Sequence, residues 1–160
     1  MYHQRYATNT PWFWSNAQPF SMLGHNGEIN TLSGNRNWTR ARLAGLRGRR
    51  ARIFADLLTN GSDSYQLNNV LEAVIHCGVD PVSALLGLIP EAWESRLGMA
   101  DGLRAWYRLQ HAMREPWDGP AGLIYLDVRY AIAHGDRNGY RPLRYVETKD
   151  GLFHLSSEIG

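Results

Sequence analysis

Apolar positions keep two different spacings along this chain. In "SDSYQLNNVLEAVIHCG", Leu67, Val70, Leu71, Val74 and Ile75 recur every three or four residues, as on a helix with one apolar face, and Gly78 supplies the stop. "DPVSALLGLIPEAWE" predicts the next helix, with Asp80 as N-cap, Pro81 at the first helical position and an end before Pro90. A further helix is predicted from Leu103 to Arg114, broken at Pro116. Upstream, "NRNWTRARLAGL" reads as helix, with Asn35 as its N-cap and Gly45 or Gly48 weakening its end.

Beyond Pro120 the period shortens. "AGLIYLD", "RYAIAHG", "RPLRYVET" and "GLFHLSS" are short β runs parted by turn residues, so four antiparallel strands in a row are expected, with hairpin connections at Asp127-Val128 and Lys149-Asp150-Gly151. At the front, "YHQRYAT" alternates and predicts a strand ending near Thr8. "NTPWFWSNAQPF" holds two prolines and reads as a loop stiffened by Trp12, Phe13 and Trp14; "SMLGHN" is a second short strand, closed at Gly27. Helices set between β segments predict a layered α+β domain in which helices cover a sheet.

Composition narrows the class. At 160 residues the chain is the size of one domain, and 44% hydrophobic with 20% charged residues speaks against disorder or a fibre. No apolar run approaches the ~20 residues of a membrane span. "MYHQRYATNT" lacks the charged start and apolar centre of a signal peptide, so the cytoplasm is the expected setting. Cys77 is the one cysteine, which excludes an internal disulfide and a multi-thiolate metal site; it falls on the apolar side of its helix and reads as a buried small hydrophobe. His3, His76, His111, His134 and His154 are scattered without ligand spacing, so no metal site is expected. The net charge is only +2, yet Arg36, Arg40, Arg42, Arg47, Arg49, Arg50 and Arg52 crowd one segment with no acid among them. That cluster reads as a solvated or partner-covered surface before it reads as a nucleic-acid site.

Asn-Gly at the end of a strand is by itself an ordinary turn. In this chain it stands among "HQRYATNT", "AQPF", "HNGEINTLSGNRNWTRAR", "GSDS", "NNVLE", "IPEAWE", "EPWDGPAG", "DRNGYRP" and "SSEIG". In that order these segments resemble the class II glutamine amidotransferase domain of glutamate synthases, of the large or ferredoxin-dependent chain, over nearly the whole sequence. The resemblance implies the four-layer αββα sandwich of N-terminal-nucleophile hydrolases, incomplete here, with residues 1–160 a partial glutaminase domain. It also implies hydrolysis of glutamine to glutamate and ammonia. The ammonia would pass to a downstream synthase domain carrying FMN and an iron–sulfur cluster, where 2-oxoglutarate is reductively aminated. No cofactor is expected in this chain itself, and neither nucleic acid nor membrane as a partner.

The same resemblance assigns roles. Asn26, through its side-chain amide, and Gly27, through its backbone N–H, would form an oxyanion hole for the reacting amide carbonyl. Arg5 would grip the α-carboxylate of glutamine and Asp63 its α-ammonium, while Thr8 and Asn9 line the pocket. Asp63 also reads as a helix N-cap, and both roles are compatible. His25 is expected as scaffold, and Asp136 to Gly139 as a structural turn. "PWFW" and Asn68 depart from the usual pattern. The family nucleophile is an N-terminal cysteine whose own α-amine is the base. Met1 precedes "YHQRY" directly, so the chain is expected to be an internal fragment, inactive alone or completed by an upstream chain that supplies the cysteine. The alternative is a non-catalytic glutamine- or glutamate-binding module.

Overall fold

The computed structural model describes residues 1–6, 9–45, 47–48 and 61–158, and among these the two spacings become four helices and five strands. Thr8, Arg49, Arg50 and Arg52 lie outside the described residues. A 3-10 turn at Trp14–Asn16 precedes β1 (Leu23–Gly27), α1 (Leu32–Ala44), α2 (Asp63–His76), α3 (Pro81–Leu88) and α4 (Asp101–Met113). Four strands follow: β2 (Ala121–Leu126), β3 (Ala131–Gly135), β4 (Arg144–Glu147) and β5 (Phe153–Ser156). The architecture is α+β, as expected.

Local chemistry accounts for most boundaries. The Asp80 carboxylate accepts the Val82 and Ser83 N–H groups at 3.0 and 3.1 Å, and Pro81 opens α3. The cap of α2 is Ser62 rather than Asp63: its hydroxyl accepts the Tyr65 N–H at 3.1 Å, and Asp63 occupies the first helical position. α1 begins at Leu32, earlier than the sequence predicts, and Asn35 is not its cap. Asn35 is buried inside the helix, where its amide donates to the Pro116 carbonyl at 2.9 Å and accepts the Thr31 hydroxyl at 2.5 Å. A cap-forming residue has thus been spent on tying α1 to the segment before β2.

The strands form two sheets instead of one four-strand run. β1, β2 and β3 make an antiparallel sheet with β2 in the centre, while among the described residues β4 and β5 pair only with each other. The reason lies in the turn between β3 and β4. The buried Asp136 carboxylate accepts the N–H groups of Ala121, Asn138, Tyr140 and Arg141 at 2.9–3.1 Å, which folds the turn back onto the start of β2. β4 therefore leaves the first sheet. Arg141, Leu143 and Ser157 end up against Gly122 on one face of β2. The core fills the other side, where Leu23, Leu123 and Tyr125 of the sheet cluster with Leu67, Leu71, Leu85, Leu88 and Trp117.

Among the described residues no strand forms at the front of the chain: residues 1–6 make no ladder with β1, and side chains take the place of strand pairing at its outer edge. The Gln18 amide oxygen accepts the His25 N–H at 2.6 Å, and the His3 Nε2–H donates to the His25 carbonyl at 3.0 Å. With both outward groups of His25 already bonded, residues 2–6 of the alternating segment have no ladder to join there.

Candidate active site

Helix α2 lies along β1 in the opposite direction and is tied to it by polar groups. Glu72 accepts the Ser21 hydroxyl at 2.7 Å, and the Asn68 amide oxygen accepts the Met22 N–H at 3.3 Å. One turn earlier, Ser64 Oγ lies 2.6 Å from His25 Nδ1, and Asp63 Oδ2 accepts the Ile29 N–H at 2.7 Å. Ser64, Asn68 and Glu72 are four residues apart, so they form one stripe of the helix. That stripe was visible in the sequence beside the apolar one, yet the apolar spacing alone was read. Ser64, Gln18 and His3 are the structural partners that sequence reasoning missed.

The effect is to fix the strand end at Asn26 and Gly27. Met22 and Glu28 face β2, since the Leu126 N–H reaches the Met22 carbonyl at 2.9 Å and the Glu28 N–H reaches the Pro120 carbonyl at 2.9 Å. Leu23 and His25 face outward, to Phe20, Gln18 and His3. Alternation then points the Gly27 N–H to the outer edge, away from β2. Only glycine fits at this position. Its φ is +138°, and a Cβ would stand 1.8 Å from the Pro120 carbonyl oxygen. Gly119 is the counterpart across the crossing, where a Cβ would meet the Glu28 carbonyl oxygen at 2.1 Å. The glycines of "HNGEIN" and "EPWDGP" therefore serve a single close backbone approach.

Asn26 projects to the sheet face opposite His25, where its amide donates to the Ser157 hydroxyl at 2.9 Å. An amide has two N–H groups, so one hydrogen bond leaves a second donor for another acceptor. Glu158, the neighbour of Ser157, stands 3.9 Å from the Arg5 guanidinium, whose side chain is 77% exposed. Arg5 is also held near β1 by its own N–H, which donates to His3 Nδ1 at 3.2 Å. Asn9 donates to Glu28 at 2.5 Å, directly beyond Gly27. Asp63 points elsewhere: it accepts the Ile29 N–H, and its other oxygen accepts the Ser64 N–H and hydroxyl at 2.7 and 3.1 Å. The structure thus gathers Asn9, Asn26 and Gly27 around the end of β1 and ties Arg5 to it through Glu158, with Asp63 behind it on α2.

His25 is scaffold, buried with 2% exposure, and burial pushes its imidazole pKa down against the attraction of Asp63. Cys77 differs from its sequence reading. It is exposed, because it caps the C-terminus of α2 where the chain turns off at Gly78 and leaves the apolar face. At 1.5 Å per residue α2 places it on the order of 20 Å from Ser64, at the far end from the Asn26–Gly27 donors. A cavity of about 410 Å³ lies between α1 and the end of α4, lined by Asn35, Trp38, Arg42, His111 and Glu115 among others, and none of the candidate residues borders it. Among the described residues no group of His, Cys, Asp and Glu is placed to hold a metal ion, and no helix is long and apolar enough to cross a membrane.

The profile of the class-II glutamine amidotransferases matches residues 1–160. The chain belongs to this family. Among curated proteins, the ferredoxin-dependent glutamate synthase of Antithamnion sp. is 43% identical over 167 residues, covering 100% of this chain and 11% of that protein. The NADH glutamate synthase of Schizosaccharomyces pombe is 43% identical over 164 residues, with 99% of this chain and 8% of that protein covered. The glutamate synthase [NADPH] large chain of Bacillus subtilis is 41% identical over 163 residues, with 99% and 11% covered. The chain therefore spans about a tenth of the length of these relatives. As a class-II amidotransferase it gives the Asn-Gly at the end of β1 a chemical context that the turn alone lacks.

Proposed function

We propose that this chain is the portion of a glutamate synthase glutaminase domain that binds glutamine and polarises its side-chain amide. The observation that carries the reading is the end of β1, where an Asn26 amide donor and an outward Gly27 N–H stand together in a class-II amidotransferase. When a thiolate adds to the amide carbon, the carbonyl oxygen becomes an oxyanion. Donors already aimed at that oxygen stabilise it by several kcal/mol without reorganising. Arg5 supplies a planar fork for the α-carboxylate, and opening its 3.9 Å pairing with Glu158 costs little at an exposed position. Asp63 has one acceptor position left for an α-ammonium after its three donors are counted. Thr8 and Asn9 would complete the wall.

The nucleophile is to be sought outside these residues, since Cys77 sits at the far end of α2. Ammonia released by the complete domain would pass to the synthase part of the larger protein, where 2-oxoglutarate becomes glutamate. FMN and an iron–sulfur cluster belong to that part. One cysteine cannot supply the several thiolates a cluster requires, so the residues of this chain do not fit such a group. A cytoplasmic setting accompanies this reading. A second reading, glutamine or glutamate bound without hydrolysis, keeps the same donors and is favoured by the position of Cys77.

Isothermal titration with glutamine tests the assignment. Arg5→Ala should weaken binding by about 1.5–3 kcal/mol, the range of a hydrogen bond to a charged group, while Arg47→Ala should leave it unchanged. Equal losses would mean unspecific ion attraction, and the pocket would have to be abandoned.

A further inference from the structure

The residues on either side of the Asn26–Gly27 pair are both held by the first turn of α2. His25, immediately before the pair, meets Ser64 through its ring, and Ile29, just beyond it, meets Asp63 through its N–H. The bonds form one chain. Ser64 Oγ lies 2.6 Å from His25 Nδ1 and 3.1 Å from Asp63 Oδ1, so the hydroxyl bridges the imidazole and the carboxylate. His25 Nε2 is buried and has no hydrogen-bond partner among the described residues. What remains for His25 is geometry. Its backbone is held from outside by Gln18 and His3, its ring from inside by Ser64.

We propose that the Asp63–Ser64–His25 chain is a positioning device for the oxyanion donors, with Ser64 the residue that transmits α2's placement to Asn26 and Gly27. This rests on the glutaminase reading above. A donor pair is effective only if it is already aimed when the oxyanion forms, and among the described residues the end of β1 has no ladder on its outer side to aim it. The helix does so instead. Without the Ser64 hydroxyl the ring loses its anchor, the peptide from His25 to Gly27 can rotate about the strand axis, and the donors lose their common target. Recognition of the α-carboxylate by Arg5 does not pass through this chain, and Asp63 keeps the Ile29 and Ser64 backbone N–H groups without the Ser64 hydroxyl, so recognition of the α-groups should survive.

The test separates the two ends of the ligand. The γ-phosphonate analogue of glutamate, 2-amino-4-phosphonobutyrate, places a tetrahedral anion where the oxyanion would form; L-norvaline keeps the α-groups and has no γ-oxygen. NMR titration of this chain with both should show Ser64→Ala weakening the phosphonate roughly tenfold while norvaline affinity stays within about twofold. Ser64→Thr, which keeps the hydroxyl, should bind both as the wild type does. If Ser64→Ala fails to melt cooperatively, Ser64→Cys replaces it with the same split expected. Equal losses for the two ligands would make the contact merely structural and overturn the proposal, as would full phosphonate affinity in Ser64→Ala. Wild-type chain that binds norvaline but gains nothing from the phosphonate would overturn the oxyanion reading itself, and the positioning proposal with it.

Discussion

Replacing Asp136 by Asn keeps the size of the side chain and removes its charge. In the native turn one oxygen accepts the Ala121 and Arg141 N–H groups and the other those of Asn138 and Tyr140. An amide has one accepting oxygen, so it can serve one pair while its own N–H₂ faces the other. The pair containing the buried Ala121 should be kept, because Asn138 and Tyr140 are exposed and can turn to water. The kept bonds fall from charge-assisted to neutral strength, a loss of about 1 kcal/mol each, and the lost pair adds about 1 kcal/mol in all. The total is about 3 kcal/mol, or roughly 6–12 °C in melting temperature for a chain of this size. The pH dependence identifies the cause. Burial pushes the Asp136 pKa up, but the backbone N–H groups of Arg141, Tyr140, Ala121 and Asn138 outweigh it and hold the carboxyl below its ordinary value. A folded pKa below the unfolded value of about 3.9 contributes stability that is complete above that value and is lost as pH falls through the folded one. Thermal melts of Asp136→Asn and wild type should therefore differ fully at pH 7 and converge as the pH falls below about 4. A difference under about 2 °C at pH 7, or one undiminished at low pH, would refute the account.

Gly27→Ala should cost more than about 3 kcal/mol, because both the +138° φ and the 1.8 Å approach to the Pro120 carbonyl resist a Cβ; urea unfolding would show it, and an unchanged midpoint would count against the register. Asp80→Ala should remove the α3 cap and lower stability by about 1 kcal/mol, read in the same experiment. Cys77 should react with a thiol reagent in the folded chain, and Cys77→Ser should change stability by less than about 0.5 kcal/mol; a protected thiol would contradict its exposure. Purified alone, the chain should release no ammonia from glutamine above background, and turnover abolished by Cys77→Ser would contradict the distance argument.

Elements with strong local signals were legible in the sequence. Asp80-Pro81 announces α3, the apolar spacing from Leu67 to Ile75 announces α2, and the turn residues at Asp127 and Lys149-Asp150-Gly151 part the strands where expected. What was misread depends on partners remote in sequence. "YHQRYAT" has a strand pattern, but Gln18 and His3 already hold the His25 backbone groups it would need. Asn35 looks like a cap until Pro116, 81 residues away, claims its amide. Cys77 sits in register with the apolar face by spacing, but the helix ends one residue too soon to keep it there. The division into two sheets follows from a carboxylate at Asp136 bonding across the turn to Ala121, which no short-range pattern reveals. The expected site residues rest on motif context alone: nothing in the spacing of Asn26 and Gly27 distinguishes them from a turn.

An open strand edge is a template that reads any extended peptide, because it offers N–H and carbonyl groups at every second residue. On β1 that template is interrupted. At His25 both groups are taken, the N–H by Gln18 and the carbonyl by His3, so a peptide laid along the edge would find no consecutive rungs. The next outward N–H, that of Gly27, can be approached only one acceptor at a time. By filling its own edge with side chains at His25, the strand breaks the run of rungs an extended peptide would need and leaves at Gly27 a foothold suited to a single carbonyl oxygen.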